Sequence, residues 1–399
     1  MEYFDPIENR EETNFVKTNP DVHRHIYKSE EVYPFWIADM DFRVALPIRE
    51  QVLALAHRGI FPYEFNDKKL YGSISSWFES RHGLVLNPTY FNQVNSVLTG
   101  IAVVIRLFSK PMQGVIINTP VYHMFEHTIK INKRKVVNNA LKVDDQGLFV
   151  IDFEDLEIQM SKEENKIYLL CNPHNPVGRV WMSEELQKIK SLANKYDVLV
   201  LSDEIHADIV YAPNSFKSYI NIDRENSVVL LGSPGKTFGL QGVATGHIYS
   251  ENTGYYMKIR REVESLFIHH DNAFTFYITQ AAYNKGSDWL EEFIIYLEDT
   301  IGEIQTFLEK YLPQVKLTKP QGTYQLWLDF RDCNLSSEEL KDWIFDKAKM
   351  GLAPGAQFGG NYELWYRLNI ATERGVILKY LKRLYETKPY FSKKNTSDE

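Results

Sequence analysis

Four short apolar segments in the middle of the chain constrain its fold more than any other feature. Each is rich in Val, Ile and Leu and runs into polar or turn-forming residues. Such runs are typical of strands buried on both faces of a parallel sheet. The four segments are GVIIN (114–118), IYLLC (167–171), VLVLSD (198–203) and VVLLG (228–232).

A helical pattern separates the second and third of these segments. In 183–196, Leu186, Ile189, Leu192 and Ala193 form one apolar stripe, and Ser183 is the candidate N-cap. Strand, helix and strand at this spacing predict a right-handed crossover and a parallel sheet.

The C-terminal third of the sequence shows a different pattern of predicted helices and strands. A long amphipathic helix is predicted over 289–312, followed by a strand within 320–331 and a helix within 336–349. A chain of 399 residues is too long for one core. We therefore expect an α/β protein with two lobes.

Composition narrows the function classes. The net charge of −8 makes the chain a poor general binder of nucleic acid or anionic membranes. No apolar run reaches the roughly 18 residues of a membrane span, and the polar N-terminus lacks the apolar core of a signal peptide. Cys171 and Cys333 are the only cysteines, which favours a reducing cytoplasm over a disulfide framework.

Polar residues follow the four predicted strands where each one ends. Because ligands of open parallel sheets bind beyond the carboxyl ends of the strands, we expect one crevice to collect these side chains. They are Tyr122, Asn175, Asp203, His206, Ser233 and Lys236.

This set of side chains suits an aldehyde cofactor with a pyridine ring. A lysine such as Lys236 forms an imine with an aldehyde. A carboxylate such as Asp203 keeps a pyridine nitrogen protonated, so that the ring withdraws electrons. Asn175 can donate to a phenolic oxygen, an aromatic or imidazole ring can support the cofactor face, and hydroxyls or helix-start amides suit a phosphate.

The motifs that carry these residues resemble those of a known family. PFWIADMDF, NTPVYHMF, LCNPHNPVGRVW, LSDEIHADIV, SPGKTFGLQG and RLNIATER occur in its order. The chain resembles fold-type I pyridoxal-phosphate enzymes of the aminotransferase class I/II superfamily. The ADMDF and SDEIH strings resemble the cystathionine β-lyase-like, or cysteine C–S lyase, branch.

The resemblance implies an aminotransferase-like architecture. A large cofactor-binding domain with a mostly parallel, helix-flanked sheet would span 49–286. A smaller α/β domain would be built from both termini, with 1–48 joining it and 287–399 including the long helix.

The resemblance also implies roles for individual residues. Lys236 resembles the lysine that binds the cofactor covalently and then acts as acid and base. Asp203 resembles the partner of the pyridine nitrogen, and Asn175 that of the ring oxygen. The residues implied to support the ring or its phosphate are Tyr122, His206, Ser233 and the backbone amides of Gly100 and Ile101.

Two further roles concern the substrate and the subunit interface. Arg367 resembles the arginine that pairs with the substrate α-carboxylate. Tyr63 resembles a tyrosine that reaches the phosphate, and the substrate, of a neighbouring subunit, which implies a homodimer with shared active sites.

The implied reaction is α,β-elimination from cystathionine or a cysteine conjugate, giving thiol, pyruvate and ammonia. Two alternatives stay open. One is an aminotransferase on the same fold, and the other is a regulatory cofactor-binding protein with little turnover.

The chain departs from the family pattern at several positions. Pro62 precedes Tyr63, Gly235 stands where a serine is common, and Ala244 stands where many aminotransferases carry a phosphate-binding arginine. Tyr362 and Leu364 occupy places that are usually glycine. We expect these changes to affect the substrate pocket more than the cofactor site.

Two other motifs are weaker. His123 and His127 have helical metal-ligand spacing, but no third ligand accompanies them, so no metal is expected. Ser233 and Lys236 match the S-x-x-K string of serine β-lactamases without the other motifs of that class.

Overall fold

The computed structural model describes residue 4 and residues 15–64, 67–224, 228–269 and 273–389. In chain order, the α-helices of these residues are α1 Pro20–Tyr27, α2 Leu46–Arg58, α3 Asp67–His82, α4 Val97–Phe108, α5 His123–Ile131, α6 Phe153–Met160, α7 Ser183–Tyr196, α8 Gly235–Phe238, α9 Thr253–Ser265, α10 Ala273–Lys285, α11 Ser287–Tyr311, α12 Ser337–Lys341 and α13 Arg374–Glu386. The strands are β1 Tyr33–Pro34, β2 Phe91–Val94, β3 Gly114–Ile117, β4 Lys135–Asn138, β5 Lys142–Val143, β6 Phe149–Val150, β7 Asn165–Cys171, β8 Leu199–Asp203, β9 Val228–Gly232, β10 Gly246–Tyr249, β11 Lys316–Leu317, β12 Gln325–Asp329, β13 Met350–Gly351, β14 Ala353–Pro354 and β15 Trp365–Asn369.

A seven-stranded sheet forms the centre of the molecule, in the order β2-β10-β9-β8-β7-β3-β4. Strand β10 is antiparallel to both of its neighbours, and the pairs from β9 to β4 are parallel. The four segments predicted as strands are β3, β7, β8 and β9, so the prediction of a mostly parallel sheet in an α/β fold is confirmed.

Both faces of this sheet are covered. Side chains alternate along each strand between two apolar clusters: in β7, Tyr168 and Leu170 belong to one, and Ile167 and Leu169 to the other. Helix α7 packs in the first cluster, and α4, α5 and α9 pack in the second. Coverage of both faces explains why the strands read as continuous apolar runs.

Helix α7 has the predicted bounds, but its predicted cap is wrong. Ser183 is the first helical residue, and Met182 is the N-cap. The Glu185 carboxylate accepts a hydrogen bond from the Met182 backbone N–H at 2.8 Å, which satisfies that donor without a serine cap.

The C-terminal elements form a second, smaller sheet. The predicted long helix is α11, and the sheet has the order β11-β12-β15-β14, with antiparallel pairs. Strand β1 pairs in parallel with β13, so the N-terminal segment packs on the C-terminal part. The predicted 336–349 helix is α12 followed by a π-helical turn, Asp342–Lys347. The domain boundaries after residues 48 and 286 stay predictions.

Across the described residues, no helix is long and apolar enough to cross a membrane.

Candidate active site

The carboxyl edge of the central sheet holds the predicted residues. Cys171 at the end of β7 pairs with Asp203 at the end of β8, and Asp203 pairs with Leu231 near the end of β9. A cavity of about 250 Å³ opens at this edge. Its lining includes all six residues expected in one crevice, Tyr122, Asn175, Asp203, His206, Ser233 and Lys236.

Lys236 lies on the single-turn helix α8, directly after β9. Its ammonium donates a hydrogen bond to the backbone carbonyl of Ala38, which also accepts from the Tyr324 hydroxyl at 3.0 Å. Burial lowers the pKa of Lys236 to about 8, against the opposing effect of the Asp39 carboxylate. A larger fraction of this amine is therefore uncharged near neutral pH than for a surface lysine.

Asp203 is a buried carboxylate, with 5% of its surface exposed. One oxygen, Oδ1, accepts a hydrogen bond from the Ile205 backbone N–H at 3.1 Å. Burial nevertheless raises the pKa of Asp203 to about 7. A carboxyl group in this environment gains from a cationic ligand, because a nearby positive charge stabilises its ionised form.

Arg367 and Asn175 are joined, although they are far apart in the sequence. Arg367 Nη1 donates to Asn175 Oδ1 at 3.0 Å, and its Nη2 donates to the carbonyl of Trp36 at 2.6 Å. Because Asn175 Oδ1 already accepts from Arg367, the amide nitrogen is left to donate. The guanidinium is buried and stacks over the Phe358 ring at 4.8 Å.

His206 and Tyr122 complete the walls of the cavity. The His206 ring is 5.8 Å from the Tyr324 ring, and among the described residues its buried Nδ1 has no hydrogen-bond partner. Burial, with the charges of Lys236 and Arg367, lowers the pKa of His206 to about 3. The imidazole is therefore neutral at physiological pH.

The start of helix α4 lies at the same edge and corrects one prediction. Ser96 caps the helix, with its Oγ accepting from the Thr99 N–H, and Ser96, Val97 and Leu98 line the cavity. The Gly100 amide instead donates to the Ser96 carbonyl at 3.0 Å, within the helix.

Gly100 and Ile101 therefore do not present the expected phosphate amides. A Cβ on Gly100 would lie 2.8 Å from a Leu231 methyl, so this residue faces the sheet, and Ile101 is fully buried beside it. Because only the first turn of a helix leaves amides without intrahelical partners, Val97 and Leu98 are the better candidates. The signal in the sequence was Ser96 before an apolar run.

Tyr63 lies outside the cavity of its own chain. Its side chain is fully exposed, and Ile60 and Phe61 beside it expose 67% and 57% of their surfaces. The role expected for Tyr63 at a neighbouring subunit stays a prediction.

The departures from the family pattern have separate locations. Gly235 and Ala244 line the cavity, and a Cβ on Gly235 would lie 3.2 Å from Ser233 Oγ. Tyr362 packs against Trp327 and Trp365 with ring centroids 5.8 and 5.9 Å apart. Tyr362 and Leu364 do not line this cavity but pack on the apolar core.

The sequence of this chain is similar to those of known proteins. A model of the aminotransferase class I and II family matches residues 57–384. Cystathionine beta-lyase PatB of Bacillus subtilis is 33% identical, over 96% of this chain and 98% of its own length.

Two solved structures share the fold over nearly the whole chain. Cystalysin of Treponema denticola, which contains pyridoxal 5'-phosphate, has a TM-score of 0.90 at 26% identity, covering 96% of this chain and 98% of its own. The C–S lyase of Staphylococcus hominis, bound to the same cofactor, has a TM-score of 0.88 at 27% identity, covering 96% and 97%. The chain thus belongs to the aminotransferase class I and II family.

Proposed function

We propose that this protein is a pyridoxal-phosphate-dependent carbon–sulfur β-lyase. It would convert cystathionine or a cysteine conjugate, with one water, into thiol, pyruvate and ammonia. The observation that carries the proposal is one cavity that joins an amine of lowered pKa, Lys236, to a buried carboxyl group, Asp203, and to Asn175, which Arg367 orients.

The residues of the cavity fit the cofactor. Asp203 is a buried acid whose ionised form needs a cationic partner, which a protonated pyridine nitrogen provides. The Asn175 amide would donate to the ring oxygen, and Tyr122 and His206, which line the same cavity, would support the ring. The first amides of α4 suit the phosphate, since helix N-termini bind anions. Ser233 lines the same cavity, but its hydroxyl donates to the Thr245 carbonyl at 2.8 Å.

Each residue then has a task in the elimination. Bound pyridoxal phosphate supplies a protonated ring that withdraws electrons from the substrate Cα. Arg367 holds the α-carboxylate, and Asn175 keeps the guanidinium in place. The Lys236 amine would take the Cα proton, the electrons of the Cα–H bond would form the Cα=Cβ bond, and the thiolate would leave with the electrons of the Cβ–S bond. Water would then convert the unsaturated product into pyruvate and ammonia. Asp203, ionised by its cationic partner, would keep the pyridine nitrogen protonated.

The products separate the lyase from an aminotransferase. We expect the holoenzyme to release pyruvate, ammonia and thiol in equal amounts from L-cystathionine with no keto acid added. If turnover of cystathionine and S-substituted cysteines occurs only with an added keto acid, the protein is an aminotransferase. Cofactor binding without turnover in either assay would instead favour a regulatory protein.

Arg367 is predicted to determine substrate affinity. In Arg367→Lys, the charge stays but the forked pair of donors is lost, so KM for cystathionine should rise about 10- to 100-fold. Steady-state kinetics measures this, and Arg331→Lys, at a side chain that is 61% exposed, is the matched control. An unchanged KM in Arg367→Lys would remove Arg367 from the carboxylate site.

We also propose that the enzyme is a homodimer in which Tyr63 completes the partner's site. Tyr63, Ile60 and Phe61 form an exposed apolar group that a second copy would cover. Inactive Tyr63→Ala and Lys236→Ala proteins, mixed and refolded together, should recover about a quarter of wild-type activity. Half of the dimers are then mixed, and each holds one intact site. No recovery would place Tyr63 in its own subunit's site, and a Tyr63→Ala protein that is active by itself would place Tyr63 outside any site.

A cytoplasmic location is part of the proposal. Cys171 and Cys333 are both buried and unpaired, as in proteins of reducing compartments. Cell fractionation tests the location, and recovery outside the cytoplasmic fraction would overturn it.

A further inference from the structure

A buried carboxylate that contacts helix α8, the helix that carries Lys236, has no role in the chemistry described above. Asp208 lies five residues after Asp203 and is not part of the cavity lining. Its Oδ1 accepts hydrogen bonds from Trp77 Nε1 at 2.9 Å and from His82 Nε2 at 2.8 Å. Its Oδ2 accepts from the Thr237 hydroxyl at 2.6 Å.

Asp208 accepts these bonds as an anion. Burial alone would raise its pKa, but the hydrogen bonds from His82 and Thr237 and the charge of Arg81 together hold the pKa below its ordinary value. The side chains of Asp208 and His82 are only 9% and 7% exposed. An ionised carboxylate can only accept, so the Thr237 hydroxyl must donate to it.

Thr237 follows Lys236 on helix α8, which has only four residues. A single turn is too short to be stable through its own backbone hydrogen bonds. Its anchors are therefore side chains: Thr237 on Asp208, and Phe238 on the Trp77 ring, with ring centroids 5.4 Å apart. Besides its own bond to the Ala38 carbonyl, Lys236 is thus held through the two residues that follow it.

We propose that Asp208 and Thr237 are positioning residues for Lys236. Asp208 lies in the segment that follows Asp203 in the chain. Its hydrogen bond to Thr237 therefore connects the helix that carries Lys236 to the segment that carries Asp203. Trp77 and His82 of helix α3 fix the position of Asp208 by donating hydrogen bonds to its Oδ1. The bond thus sets where the Lys236 amine lies relative to Asp203. This inference rests on the proposed role of Lys236.

A pair of matched variants isolates the Thr237 bond. Thr237→Val keeps the shape and removes the donor, whereas Thr237→Ser keeps the donor. The full-length protein, stripped of cofactor, is mixed with pyridoxal phosphate, and covalent capture by Lys236 is followed by visible absorbance. We expect capture and kcat to slow about 10- to 100-fold in Thr237→Val, with KM nearly unchanged, because small misplacement of a reacting group carries costs of that order. Thr237→Ser should stay within about threefold of wild type.

Asp208→Asn provides a second test at the other end of the bond. It should slow capture in the same direction as Thr237→Val, and combining the two variants should add little, since they remove one interaction. Equal capture rates in Thr237→Val, Thr237→Ser and wild type would overturn the proposal. It would also be overturned if the capture rate fell as much in Thr237→Ser as in Thr237→Val. Covalent capture of the cofactor does not depend on the elimination reaction. If no products form, but capture is slow in Thr237→Val and close to wild type in Thr237→Ser, only the proposed reaction is refuted.

Discussion

Replacing Lys236 with alanine is expected to abolish covalent cofactor attachment and to lower kcat for cystathionine on the order of 10⁴-fold. The methyl group cannot form the imine or take the Cα proton. Asn175, Asp203 and the start of α4 remain in place, so the variant should still bind pyridoxal phosphate non-covalently. Visible absorbance, before and after denaturation, separates the two binding modes.

The control for this prediction is Lys310→Ala, at an exposed lysine of helix α11. It should keep both covalent attachment and kcat. Cofactor that stays covalently attached in Lys236→Ala would place the reactive amine elsewhere, and the assignment of the active site would then be wrong.

Replacing Asp203 with asparagine should lower kcat about 10²- to 10³-fold, the size of effect seen when a preorganised electrostatic group is removed. A neutral amide can bond to a pyridine nitrogen, but it does not keep that nitrogen protonated. Absorbance should show the cofactor still attached to Lys236, with KM changed much less than kcat. An unchanged kcat would remove Asp203 from the reaction.

The same substitution should stabilise the cofactor-free protein at alkaline pH. Burial raises the pKa of Asp203 from its ordinary value of 3.8 to about 7. Between about pH 4 and pH 7, the Asp203 carboxyl group is therefore protonated in the folded chain and ionised in the unfolded chain. The stabilisation from Asp203 is complete below about pH 4 and is lost as pH rises to about 7.

At pH 8 the buried charge then costs about 1 to 4 kcal/mol, which Asp203→Asn would relieve. The gain should be roughly 2 kcal/mol larger at pH 8 than at pH 5, measured by urea unfolding. Asp145→Asn, at an exposed carboxylate, should show no such difference. A less stable Asp203→Asn protein at pH 8 would contradict the pKa assignment.

Much of the fold and the centre of the site could be predicted because local residue patterns specify them. Strands β3, β7, β8 and β9 are buried on both faces, so each is apolar throughout and recognisable alone. Parallel strands end at one edge of the sheet, so polar residues after each of them meet there. This places Lys236, Asp203 and Asn175 around one cavity.

Other features depend on the phase of a helix or on contacts between distant segments. Gly100 and Ile101 were predicted as phosphate ligands, but α4 begins at Val97, which places both amides beyond its first turn. Ser183 was predicted as a cap, but the chain enters α7 one residue earlier. Asn175 and Arg367 are 192 positions apart, and Asp208 and Thr237 are 29 positions apart.

The sequence by itself therefore determined the central sheet, the family and the chemistry of the cavity, because strand burial and strand ends are local properties. Only the tertiary structure decided which amides at the start of α4 have no partner within the helix, that Arg367 orients Asn175, and that Asp208 anchors the Lys236 turn. Those outcomes depend on where helices begin and where side chains point after packing, which one-dimensional patterns do not specify.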